Sequence, residues 1–134
     1  MSAPAVREAL ETALAANAGG IDIAYENVPY EPVEGTPYQA AYMLFAEPEN
    51  IEVGPAYKER GIFQVNLFYP TNAGPGAAEA RADSIRDTFY KGAAFVADSV
   101  TVQIERTPEI GPGRIEEDRY FKPVKVRFYA HVRS

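Results

Sequence analysis

The sequence predicts an α+β domain: a mainly antiparallel five-stranded sheet with two helices packed on one face, in the order α-β-β-β-α-β-β. Three observations lead there. Residues 61–69 alternate strictly, with Phe63, Val65, Leu67 and Tyr69 on one face and Gln64 and Asn66 on the other. That period marks a strand with one buried face. Beyond a Gly74-Pro75-Gly76 turn, Ala78, Ala82, Ile85 and Phe89 recur at helical spacing, so a helix covers the sheet. The other strands come in runs separated by the helices, the pattern of an α+β sandwich.

The first helix is predicted over residues 4–17. Pro4 sits in the first turn, where its missing N–H costs nothing, and Gly19-Gly20 supplies the stop. Val6, Ala9, Leu10, Ala13 and Leu14 form the apolar stripe. A short strand follows, with Ile21, Ile23 and Tyr25 inward and Asp22 outward. The proline-rich stretch 26–38 cannot be regular structure. Residues 38–46 form a second strand. Tyr42 and Leu44 oppose Met43 and Phe45, so both faces are apolar and the strand is expected to be central or covered on both sides. A second connector covers residues 47–61, and Pro70 ends the strand after it. After Gly92, Val100, Val102 and Ile104 alternate with Thr101, Gln103 and Glu105 in a fourth strand, and residues 107–118 read as a long polar turn. The last strand alternates Val124, Val126, Phe128, Ala130 and Val132 with Lys125, Arg127, Tyr129, His131 and Arg133. Pro123 places its start at an edge or a bulge.

At 134 residues the chain is expected to form a single domain, residues 1–134, able to build a core without metal or disulfide staples. It has no cysteine, which excludes thiol catalysis, structural disulfides and zinc–thiolate sites. Arg7, Glu8 and Glu11 break up the apolar residues near the start, which is not a signal-peptide pattern, and no run is long enough to span a membrane. The expected location is the cytoplasm of the producing cell. Net charge is -6, with a pI near 4.8, which argues against a nucleic-acid-gripping protein. The charge is uneven. Residues 114–134 hold Arg114, Arg119, Lys122, Lys125, Arg127 and Arg133 against three acids, so that segment is +3 and the rest -9. Such a strand reads either as an exposed edge kept soluble by cations or as a surface complementary to the acidic body of a neighbouring subunit.

No constellation for chemistry stands out. Glu116, Glu117 and Asp118 are adjacent on a turn, point apart, and have no second ligand cluster. Residues 74–80 are glycine-rich before a helix but lack the spacing and the Lys-Ser/Thr of a phosphate loop; Glu79 there favours the positive helix end. His131 has no serine or cysteine motif to serve. The nine tyrosines mostly alternate with core residues, as packing groups with wet tips. No cofactor and no enzyme are predicted.

Four stretches carry a resemblance: AYENVPYEPVEGTPY, AEPENIEVG, YKERGIFQVNLFYP and GPGAAEARADSIRDTF. With Glu26, Asn27, Pro29, Pro37 and Tyr38, then Gly61, Phe63, Gln64 and Val65, and the alanine-rich helix after Gly76, the chain resembles the tail-terminator proteins of long-tailed bacteriophages and prophages. The ordered set spans nearly the whole chain, although no single motif is specific. The resemblance implies a non-enzymatic virion protein that assembles in the host cytoplasm. It would close into a ring of six subunits on the head-proximal end of the tail tube, stop tube growth and offer a surface for head joining. Its partners would be itself, the major tail tube protein and a head-completion protein, with no membrane and no sequence-specific nucleic acid. The acidic body suits a lumen through which DNA slides without sticking.

A head-to-tail contact closes into a ring when its rotation divides a full turn. Glu79, Asp83 and Asp87 form an acidic stripe on the second helix, relieved in part by Asp83 with Arg86 and Asp87 with Lys91. The segment Tyr57-Lys58-Glu59-Arg60 is a basic, aromatic patch able to meet that stripe on a neighbour. An ordinary solvated helix face is the bland reading. Tyr30, in a proline-stiffened connector, and Lys125 with Arg127, on the basic last strand, complete the contact candidates. A head-completion or connector subunit and a small ligand-binding α+β domain stay open as alternatives; the latter needs a pocket with convergent polar groups.

Overall fold

In the computed structural model, residues 2–50 and 56–132 are described. Helix α1 spans Ser2–Ala16, followed by β1 (Asp22–Tyr25), β2 (Tyr38–Phe45) and β3 (Tyr57–Pro70). Helix α2 (Gly76–Thr88) precedes β4 (Ala94–Ala97), β5 (Val100–Ile104), β6 (Glu109–Ile110), β7 (Arg114–Glu116) and β8 (Arg119–Val132). The sheet is curled and eight-stranded, in the order β1-β2-β3-β8-β5-β4, with β6 and β7 also pairing β8.

The expected five-stranded, mainly antiparallel sheet is therefore wrong in strand number and in pairing. β1 and β2 run parallel, Asp22 beside Tyr38 and Tyr25 beside Ala41, which makes the sheet mixed. A parallel pair needs a crossover of about a dozen residues, and the proline-rich connector supplies that length. The additional strands escape a periodicity reading because β4, β6 and β7 are four, two and three residues long. They are held by pairing, β4 to β5 and the other two to β8. β4 turns into β5 through Asp98 and Ser99, both at positive φ (48° and 66°), the conformation of a two-residue hairpin turn.

β3 and β8 are also longer than their alternation suggested. They pair from Tyr57 with Val132 to Pro70 with Arg119, so Lys58 and Arg60 are strand residues and not part of a connector. β8 is no edge either, since it lies between β3 and β5. Pro123 is tolerated inside it for a local reason. Its carbonyl accepts Gly111 N–H at 2.9 Å, so the missing N–H faces the break between β6 and β7, away from β3. Gly61 lets β2 and β3 approach. A Cβ there would run into the Leu44 carbonyl oxygen and come within 3.0 Å of Phe128 Cζ.

One face of the sheet carries Met43, Phe63, Val65, Leu67, Val102, Ile104, Val126 and Phe128, all buried with both helices. α1 inserts Val6, Leu10 and Leu14; α2 inserts Ala82 and Ile85, with Phe89 just after it. Arg81 and Gln39 are also buried at this layer boundary, where Gln39 Oε1 accepts Arg81 Nε at 3.1 Å and Nη2 at 2.9 Å. Gln39 Nε2 in turn donates to the Ala18 carbonyl at 3.0 Å, tying α2, β2 and the end of α1 together. β2 is covered only in its first half. Tyr42, Leu44 and Phe45 are exposed, so the expectation that the whole strand is covered fails beyond Met43.

Candidate functional site

Opposed residues of an antiparallel pair share a face. By that rule the face of the sheet away from the helices carries Lys58, Arg60, Arg114, Arg119, Lys125 and Arg127. Glu109 and Glu116 lie on it by their pairing with Lys125 and Arg119, as does Glu49 through its bridge to Lys58. Asp22 lies on it through its pairing with Tyr38, and Glu105 through its bond to Arg127 beside the Gln103–Tyr129 pair. Among the described residues this face therefore holds six cations and five carboxylates, +1, while the chain as a whole is -6.

Three of those cations have carboxylate partners. Arg60 meets Glu49 at 2.9 Å, Arg114 meets Glu116 at 2.9 Å, and Arg127 meets Glu109 at 3.7 Å. Each pair keeps substantial exposure, so its contribution is only ~0.2–1 kcal/mol. Lys58 Nζ sits 4.7 Å from the Tyr129 ring centre, a cation–π contact. Tyr129 donates its hydroxyl to Gln103 Oε1 at 2.5 Å. Lys125 has no salt bridge among the described residues. Four sequence-predicted contact residues, Lys58, Arg60, Lys125 and Arg127, thus share one surface.

Arg119 has a different task. It donates to the Thr36 carbonyl at 2.6 Å and the Val33 carbonyl at 2.7 Å, and lies 5.0 Å from the Tyr38 ring centre. Beneath it a ladder of rings runs from Tyr30 to Tyr38 (5.0 Å), Phe68 (4.8 Å, stacked) and Phe121 (5.2 Å). Tyr30 also donates to Asp22 Oδ2 at 3.1 Å, and its hydroxyl titrates higher than usual because of burial first and that hydrogen bond second. The connector is fixed to the sheet by this ladder and by Arg119. Sequence reasoning placed Tyr30 in a contact loop but missed the Arg119 clamp, which joins positions 83 and 86 residues apart.

The acidic stripe lies on the other side. Glu79, Asp83 and Asp87 are exposed on α2 and make no salt bridge among the described residues. The expected relief by Arg86 does not form, because its guanidinium donates to the Pro108 carbonyl at 3.1 and 3.0 Å. Tyr57, paired with Val132, falls on the opposite sheet face from Lys58 and Arg60, so the expected four-residue patch is split.

One solved structure, whose title names no function, superposes with a TM-score of 0.80 at 22% identity, covering 100% of this chain and 98% of its own. A second, titled as the virion of a native gene transfer agent particle, gives 0.62 at 21% identity, covering 96% and 93%. At these identities the likeness concerns the fold. No curated protein sequence matches. The family model described as phage tail terminator protein matches residues 5–128. The chain belongs to the phage tail terminator family, whose members are structural virion proteins of the tail and not enzymes.

Proposed function

We propose that this protein, acting as one domain over residues 1–134, closes into a ring of six copies on the head-proximal end of the tail tube, ends tube polymerisation there and presents the head-joining surface. The observations that support this reading are the family match over residues 5–128 and the separation of the Lys58, Arg60, Lys125 and Arg127 group on the open sheet face from the Glu79, Asp83 and Asp87 stripe on α2. A surface of one sign on one side and its complement on the other favours head-to-tail association, which closes or extends but does not stop at a dimer. The basic group formed by Lys58, Arg60, Lys125 and Arg127 would face acidic surface of the next copy, with Glu79, Asp83 and Asp87 as the partner stripe. Assembly takes place in the host cytoplasm, and the finished ring stays in the virion.

Replacing Lys58 and Arg60 by Glu tests the contact. The variant is expected to keep its circular dichroism spectrum while losing self-association and producing tubes of uncontrolled length in an assembly reaction with the major tail protein. Adding Asp83→Lys and Asp87→Lys is expected to restore part of the length control. Normal tube length from the double Glu variant would remove these residues from the contact. Binding to the portal side and not to tubes would favour a connector subunit instead.

A further inference from the structure

The sheet ends in two edges. β1 pairs only Tyr38 to Ala41 of β2, which leaves the four residues from Tyr42 to Phe45 without an outer strand among the described residues. Backbone direction along that stretch follows from two bonds. Ala46 N–H donates to the Arg60 carbonyl on the β3 side, whereas Met43 N–H points outward and donates to Glu26 Oε1 at 3.1 Å. Met43 and Phe45 therefore turn their main-chain groups outward. With Met43 N–H taken by Glu26, the Met43 carbonyl and both groups of Phe45 remain open among the described residues. Leu44 (52% exposed) and Phe45 (39% exposed) flank them.

The opposite edge is β4, also four residues long. Ile104 N–H donates to the Ala93 carbonyl, so Ala93, Phe95 and Ala97 turn toward β5 while Ala94 and Val96 turn their backbone groups outward. Val96 is 67% exposed. Through the antiparallel steps β2–β3, β3–β8, β8–β5 and β5–β4, β4 runs in the same direction as β2. A copy rotated about an axis along the strands would thus bring its β4 to the open part of β2 in parallel, with the basic face continuing on the same side.

We infer that β4 of one copy adds as a parallel strand to the Tyr42-to-Phe45 stretch of β2 in the next, making one sheet continuous around the ring. In the register that keeps the faces aligned, Val96 lies beside Leu44. Its N–H then meets the Met43 carbonyl and its carbonyl meets Phe45 N–H, since a parallel residue bonds the neighbours on either side of its opposite number. Asp98, exposed at the hairpin turn, follows two residues later, near the groove lined by Ala46, Arg60, Glu105 and Arg127. The occupant is a second copy on two grounds: the open stretches are each four residues long, and they run in the same direction at opposite ends of one sheet. The inference rests on the ring reading and sharpens it. It gives the ring a strand-edge contact in place of the contact between the basic face and α2, because a continuous sheet keeps every basic face on one side and every α2 on the other.

The chain has no cysteine, so a cross-link is clean to read. Full-length protein with Leu44→Cys and Val96→Cys is oxidised alone, over a concentration series, and on tubes of the major tail protein. The expected result is a reducible ladder of covalent multimers, with each single-cysteine variant giving none and their mixture giving dimers only. Val96→Lys, a change at an exposed position, is expected to stay folded and to weaken self-association at least tenfold in sedimentation. If the parent assembles while the double cysteine gives no ladder and Val96→Lys assembles equally well, the edge contact is wrong and the ring stands. Dimers from Leu44→Cys alone would show the edge pairing with itself, and a cross-link to the tail protein would show a different occupant; either overturns the inference. If the parent associates neither alone nor on tubes, the ring reading itself falls.

Discussion

Arg81 is a guanidinium 5% exposed whose hydrogen-bond partners are the Gln39 and Ser84 oxygens, with no salt bridge among the described residues. Burial lowers its pKa, and the nearby Tyr69 only partly opposes that. Removing its main acceptor leaves a buried cation exposed to the full desolvation cost, so Gln39→Leu is expected to destabilise the fold by about 3 kcal/mol. Arg81→Met removes charge and stem together, and is expected to cost clearly less in urea unfolding. Glu26 is the residue to follow with pH. Its carboxylate is held below the usual range, first by the Met43 N–H and then, against burial, by Arg7. A lowered folded pKa contributes stability that is present above the unfolded value, roughly pH 4 to 4.5, and is lost as pH falls through the folded one. Glu26→Gln is therefore expected to be slightly less stable than the parent at pH 7, by under about 1 kcal/mol because the pair is exposed. That difference should fade below pH 4 in a pH series of melts.

At the scale of elements, the connector between β1 and β2 is the part most dependent on one side chain. Arg119→Ala removes two charge-assisted bonds to the Val33 and Thr36 carbonyls and the cover over Tyr38. Local opening is expected to become roughly five- to tenfold more frequent, about 1 kcal/mol. Hydrogen exchange at Thr36 N–H, bonded to the Val33 carbonyl at 3.1 Å, reads this directly. Unchanged exchange would mean that the ring ladder alone fixes the connector. What the sequence disclosed about the elements follows from the same physics. The stripes of α1 and α2 and the inward residues of β3 and β8 were legible, because period and burial coincide there. β4, β6 and β7 were not, since two to four residues carry no period and exist through their partners. Lys58 and Arg60 were recognised as a basic patch but placed in a loop, because their strand character comes from pairing with His131 and Tyr129. The clamp at Arg119 and the Arg81–Gln39 pair bridge distant parts of the chain and leave no local pattern.

For the molecule as a whole, α1, α2 and one sheet face share a single cluster of buried side chains. Heat or urea is therefore expected to unfold the dilute protein in one cooperative transition, with fluorescence and circular dichroism changing together. Two separated transitions would divide residues 1–134 into independent units. The larger claim is that the subunit assembles by repeated head-to-tail contact and stops a tube by capping it. Electron microscopy of tubes grown from the major tail protein, with this protein added in excess, tests it most directly. The account predicts a ring of six copies on one end of each tube and a narrow length distribution. Tubes that grow without limit and carry no added density at either end would contradict it.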